Sequence, residues 1–207
     1  MTPGEPKWRR RKDARPGEIV AAALEVFSEK GFAAARLDDI AARAGVSKGA
    51  LYLYFETKQD LFRAVVRETV APNIAAVEAA VMASDLPFDT LARMLLGRIA
   101  EVLSSTPLGS VAKMVIAESR NFPDLARIWH DDVISRALKI ATGLIERAQA
   151  KGEIRSGDPR IHAFSLVGPM LMGVLWREVF APVGIEPVDL RAVAAQHADT
   201  ALQGMLT

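Results

Sequence analysis

The sequence predicts an all-α protein: a small three-helix unit near the amino end followed by a larger helical bundle. Three observations predict it. Half of the 207 residues are hydrophobic, and the apolar positions recur at helical spacing with no run of strand-like alternation. Prolines fall between the apolar stripes, at Pro87, Pro107, Pro123, Pro159 and Pro182, where helices should stop and restart. A short stretch, Leu37 to Phe55, reads as two helices joined by a tight bend.

The elements follow in order. Residues 1–15 read as a basic flexible arm, densest in charge at Lys7, Arg9, Arg10, Arg11 and Lys12. Pro16 suits a first helical turn, and Ile19, Ala22, Ala23, Val26 and Phe27 form one stripe on a helix ending at Gly31, with Phe32 packing back on it. Ile40, Ala41 and Ala44 share a face of the next helix. Gly45 supplies the positive φ of the bend, Val46 plugs the corner, Ser47 caps the following helix, and Leu51 and Phe55 give it a buried side. Thr57 caps a long helix from Lys58 to about Met82, with a kink expected at Pro72. Five further helices are expected near 87–104, 107–120, 123–151, 159–181 and 187–206. This gives three segments: the arm at 1–15, a helix-turn-helix unit at 16–57, and a helical bundle at 58–207.

Several classes are disfavoured. There is no cysteine, so there is no disulfide framework, thiolate site or cysteine nucleophile. His130, His162 and His197 are scattered, and His130 stands beside Asp131 and Asp132 rather than three or four residues from them, so no metal site, cofactor or enzymatic centre is expected. The charged amino end is no signal peptide. The longest uncharged apolar run, Ala163 to Leu175, is too short to span a bilayer, and a cytoplasmic protein without membrane contact is expected. Net charge is only +1, but its distribution is informative: residues 1–58 hold 11 Lys+Arg against 8 Asp+Glu, while the remainder holds 15 against 17. The basic excess lies with the helix-turn-helix, as binding to nucleic acid requires.

The stretch GVSKGALYLYFETKQDLF, preceded by ALEVFSEKGFAAARLDDIAARA, resembles the DNA-binding signature of the tetracycline-repressor (TetR) family of bacterial transcriptional regulators. The likeness covers about a quarter of the chain, from roughly Pro16 to Val65, and is specific. One position departs from the pattern: Arg36 stands where family members usually carry a Thr or Ser that caps the first motif helix and touches phosphate. Asp38 or water would then cap, and Arg36 would hold phosphate by its guanidinium. The resemblance implies a homodimeric, sequence-specific regulator, a repressor released by a small ligand, on a double-stranded and palindromic DNA operator. Ser47, Lys48, Gly49, Ala50 and Tyr52 would face bases or phosphates, and Tyr54, Lys58 and Arg36 the backbone.

The remaining helices match the family in length and character only. The apolar faces of the last two, with Leu166, Met170, Leu171, Val174, Leu175 and Val179 on one and Leu190, Val193, Ala194, His197, Ala198, Ala201, Leu202 and Met205 on the other, suggest a four-helix dimer interface that Gly168 and Gly173 let close tightly. Met94, Met114, Phe122, Trp129, Phe164, Met170, Met172 and Trp176 suggest a pocket for an apolar or aromatic ligand, with Glu118, Arg98 or Arg177 as a polar anchor. Two other classes fit the composition: a helical ligand-binding or scaffolding protein without DNA binding, and a helical enzyme using carboxylates.

Overall fold

The computed structural model describes residues 15–206; the basic arm expected at 1–15 therefore lies almost wholly outside the described residues. Among the described residues the regular structure is helical, joined by turns and loops, with one isolated bridge between Ile154 and Leu206. It divides into two compact units, one reaching to Val65 and the other starting at Val66.

The first unit is built on α1 (Arg15–Ala34), α2 (Leu37–Arg43), α3 (Lys48–Tyr52) and the start of α4 (Lys58–Thr69). One stripe of α1, including Ile19, Ala23, Val26 and Phe27, is buried. Gly31 interrupts α1 at φ 75°, and the chain folds Phe32 back so that its ring stacks on Phe27 at 5.5 Å. Phe62 of α4 meets both rings edge-on, at 5.9 and 6.0 Å. Edge-on aromatic packing adds to burial through the ring quadrupoles. Lys58 closes this cluster. Its ammonium lies 4.5 Å from the centre of the Phe32 ring and donates to the carbonyls of Phe32 at 2.5 Å, Ala33 at 3.2 Å and Ala35 at 2.9 Å. Those carbonyls belong to the C-terminal end of α1, where a helix runs out of intrahelical donors. Thr57 caps α4 as the sequence predicts. Its Oγ1 accepts from the Asp60 amide at 3.0 Å while the Asp60 carboxylate accepts from the Thr57 amide at 3.2 Å, a reciprocal capping box.

The long helix expected from Lys58 to Met82 is two helices, α4 and α5 (Ala71–Met82), separated at Val70. Pro72 falls in the first turn of α5 and has no amide proton to continue the ladder from α4. The Asn73 amide turns to the Val70 carbonyl at 3.1 Å, and its side-chain Nδ2 donates to the Thr69 carbonyl at 3.0 Å.

The second unit continues with α6 (Phe88–Ser105), α7 (Leu108–Glu118), α8 (Pro123–Trp129), α9 (Ser135–Ala150), α10 (Pro159–Leu175) and α11 (Leu190–Met205). Its core joins Phe88, Leu91, Leu95 and Leu96 of α6 to Ala141, Leu144, Ile145 and Ala148 of α9, Leu166 and Met170 of α10, and Ala198 and Leu202 of α11. Each set repeats at three or four residues, so each helix lends one stripe. The start of α6 lacks a side-chain cap of its own, and the Glu153 carboxylate accepts from the Phe88 amide at 2.7 Å in its place.

Two π-helical turns, His130–Ile134 and Trp176–Phe180, were not legible in the apolar spacing; the first makes one continuous run from α8 into α9. The second extends α10 through a 3-10 turn, so Pro159–Val183 is long and apolar enough to cross a membrane by length and composition, which corrects the shorter run read from the sequence. Ala163, Leu166, Met170 and Val174 along it are buried in the bundle core, a packing role that requires the same apolar composition. Near its end, Pro182 cannot donate to the Glu178 carbonyl, and Lys113 Nζ does so at 3.1 Å.

The Lys58 contacts yield a direct expectation. Lys58→Met keeps the stem over Phe32 but removes three charge-assisted hydrogen bonds, and should lower unfolding free energy by about 1–3 kcal/mol in urea titration, with helical content unchanged before the transition.

Candidate nucleic-acid interface

Gly45 makes the bend between α2 and α3 at φ 66°, and the Val46 amide donates back to the Ala41 carbonyl at 3.0 Å. This closes the C-terminal turn of α2, a conformation glycine adopts without the steric cost a side chain meets there. Ile40, Ala41 and Leu51 are buried and hold the two helices together. Ser47 caps α3 as predicted: its Oγ accepts from the Ala50 amide at 3.2 Å. Helix α3 ends at Tyr52, earlier than the sequence spacing suggests. Phe55, read as part of its buried side, lies beyond the helix and is half-buried.

The opposite side of α3 is open. Ser47, Lys48 and Gly49 are exposed and Ala50 is half-exposed. A side chain at Gly49 would meet nothing within 4 Å, so the backbone there is accessible. Tyr52 and Tyr54 are exposed to 44% and 42%, and Leu53 between them to 83%. Leu53 was not among the residues singled out from the sequence. It follows the last residue of α3, and its exposure shows only once that helix is seen to end at Tyr52.

Charge around this face is arranged in pairs. Lys48 Nζ lies 2.8 Å from Asp38 Oδ1 and 3.0 Å from Oδ2. Lys30 meets Asp39 at 2.7 Å, and Arg43 meets Glu29 at 2.6 Å. The Asp38 hydrogen bond raises the Lys48 ammonium above its ordinary pKa. Arg43 holds the Glu29 carboxyl below its ordinary value, and Lys30 does the same for Asp39. Arg36 occupies the N-cap of α2, exposed and without a side-chain cap bond, while its carbonyl accepts from Asp39 and Ile40. Asp38, suggested as a substitute cap, instead reaches across to α3. Lys58, expected at the DNA backbone, is half-buried and donates its ammonium to the carbonyls at the end of α1.

The positions proposed for a ligand, Glu118 among them as an anchor, occupy three environments in the second unit, and Met172 is exposed. Met114 and Met170 are buried, and Met170 belongs to the main core. Met94 and Phe164 point outward, exposed to 54% and 48%. Glu118, Phe122, Trp129 and Trp176 are half-buried; the Trp176 ring lies 5.1 Å from Phe180 and its Nε1 donates to the Glu186 carbonyl at 3.0 Å. A shallow apolar depression of about 470 Å³ runs beside α11, lined by Val188, Asp189, Ala192, Val193, Gln196 and His197; none of the proposed positions lines it. Of the proposed anchors, Arg177 pairs with Glu178 at 2.8 Å and Arg98 with Glu101 at 2.7 Å. Among the described residues no cluster of His, Asp or Glu suited to a metal ion occurs.

The interface expected between copies needs a similar correction. Leu166, Met170 and Val174 of α10, and Leu190, Ala194, Ala198, Leu202 and Met205 of α11, are used inside one chain. Gly173 faces Leu190, whose Cδ2 would stand 2.6 Å from an added Cβ, so this glycine serves packing within the bundle. The apolar residues left outside on α10 are Ile161, Phe164, Leu171 and Met172, beside Gly168, which has open space around it.

Comparisons with known proteins agree with this architecture. Residues 19–65 match the family described as bacterial regulatory proteins, tetR family. Residues 89–205 match the C-terminal domain of AefR-like transcriptional repressors. The HTH-type transcriptional activator FasR of Mycolicibacterium smegmatis is 44% identical over 69 residues, which span 33% of this chain and only 32% of FasR. The fatty acid metabolism regulator protein of Bacillus subtilis is 26% identical over 148 residues, 70% of this chain and 75% of that protein. The crystal structure of FadR from Bacillus subtilis in complex with stearoyl-CoA superposes with a TM-score of 0.75 at 22% identity, covering 91% of this chain and 98% of the other.

The bend itself is testable. A Cβ at Gly45 has room but sits in the left-handed region, so Gly45→Ala should destabilise the protein by about 1–2 kcal/mol through backbone strain alone, visible as a lowered denaturation midpoint.

Proposed function

This chain belongs to the TetR family of bacterial regulatory proteins and is a DNA-binding transcriptional regulator; from that premise we propose how its residues do the work. The observation that carries the reading is the open face of the α2–α3 pair, where Tyr52, Leu53 and Tyr54 stand exposed beside Lys48 and the bare backbone at Gly49. A large apolar and phenolic surface in water is costly unless something covers it. A major groove offers base edges and thymine methyls to such side chains and phosphates to the lysine. Ser47, Gly49 and Ala50 are small enough to let the backbone approach. Arg36, exposed at the start of α2, takes a phosphate. Lys58 acts indirectly, by fixing α4 against α1, rather than as a phosphate contact.

Helix-turn-helix proteins read two-fold sites with paired recognition helices about 34 Å apart or a multiple of it. We propose that two copies associate through the outer face of α10, where Ile161, Phe164, Leu171 and Met172 are exposed around the accessible Gly168, and that the operator is palindromic to match. The second unit would then sense a small apolar ligand. The stearoyl-CoA complex of the Bacillus subtilis FadR supports an acyl-type ligand for the same fold. A ligand preferring the dimer with misplaced recognition helices weakens operator binding by the factor by which operator weakens ligand binding.

Two substitutions test this function. Tyr52→Ala, at an exposed position, should weaken operator binding by about tenfold or more, in line with about 1–3 kcal/mol for a groove contact, with an unchanged melting temperature; equal affinity for operator in a titration would remove Tyr52 from the groove. Leu171→Glu should convert a two-chain species in sedimentation equilibrium to single chains while preserving helical content; an unaltered mass would place the association elsewhere.

A further inference from the structure

Lys48 is the one basic residue on α3, and both oxygens of the Asp38 carboxylate on α2 lie within hydrogen-bond distance of its ammonium, at 2.8 and 3.0 Å. The pair bridges the two helices of the motif on the side left open. Both side chains are 59% exposed, so neither is needed to fill the core, and an exposed ion pair of this kind adds little to stability. Its consequence lies in binding. A phosphate approaching Lys48 is within a Debye length, about 8 Å at physiological salt, of both charges, and meets a nearly neutral pair instead of a cation. To engage the lysine it must compete with a carboxylate that already occupies the ammonium.

We propose that Asp38 is an electrostatic brake on duplex binding that acts through Lys48: the carboxylate parks the ammonium, and DNA engages it only by displacing that contact. The inference rests on the DNA-facing reading of α3. In the parked state Lys48 holds Asp38 in place of solution counterions, so its transfer to phosphate releases fewer ions than transfer of a free lysine. Asp38 thereby lowers affinity for any duplex and flattens its salt dependence. The neighbouring pairs Lys30–Asp39 and Arg43–Glu29 lie on α1 and α2 and leave α3 untouched, which makes Asp38 the carboxylate that governs this contact.

The test is a double-mutant cycle on the full chain, with Asp38→Asn and Lys48→Met alone and together, titrated against a mixed-sequence duplex of about 30 bp long enough for two half-sites over a series of salt concentrations. With Lys48 present, Asp38→Asn should tighten binding about threefold or more at low salt and steepen the slope of log affinity against log salt by about one ion. In the Lys48→Met background the same substitution should change neither. An equal gain in both backgrounds would show Asp38 acting as a general negative charge and would overturn the proposal, as would no gain with Lys48 present. Melting curves accompany each variant; if Asp38→Asn melts below the assay temperature, Asp38→Ser serves in its place. Absence of salt-dependent duplex binding by the unmodified chain would instead strike the DNA-binding reading itself.

Discussion

The Lys58 ammonium, seated on three carbonyls at the end of α1 and against the Phe32 ring, is the contact on which the amino-terminal unit depends. Glycine at position 31 kinks α1 just before its end, where the last turn of a helix runs out of intrahelical donors. A half-buried carbonyl without a partner is unfavourable. A lysine from α4 supplies the missing donors, and in doing so fixes where α4 starts. The Phe27, Phe32 and Phe62 rings beneath it then have a single arrangement in which to pack. With α1 and α4 set, the short helices α2 and α3 rest on a rigid base.

Rigidity matters because α3 is only five residues long and could not hold its shape alone. Its geometry is imposed by Leu51 in the core, the Ser47 cap and the Gly45 bend. What remains outside is a surface of tyrosine, leucine and lysine that the core does not need. The division of labour is therefore local: buried residues of α2 and α3 specify the corner, and exposed ones specify what it meets. The second unit has a different logic, with each helix giving a stripe to one shared core and the outer face of α10 remaining apolar.

Much of this was legible in the sequence, and the reasons differ by element. The bend was readable because Gly45, Ser47 and Leu51 each answer a separate local requirement, and the helix ends were readable because proline punctuates them. The break at Val70 was only half legible: Pro72 marks a disturbance, but whether a proline kinks a helix or starts a new one depends on what receives the freed carbonyls. The π turns left no trace, since one extra residue in a turn barely shifts an apolar stripe. The seat of Lys58 is not legible, because the carbonyls that hold it lie more than twenty residues earlier. Leu53 carries no local signal, because its exposure follows from where the short α3 ends. The large side chains proposed for a ligand shared only their type. Periodicity cannot say whether a methionine such as Met94 faces the core or water, and the structure divides them.

The central claim is that the exposed side of α3 enters a major groove, once for each of two copies. Methylation interference on a bound operator tests it most directly, because dimethyl sulfate marks guanine N7 in the major groove. The account predicts that methylation blocks binding at two clusters of guanines related by a dyad, centred about 10 bp or a multiple apart. Interference confined to the minor groove, or a single cluster without its symmetric counterpart, would contradict it.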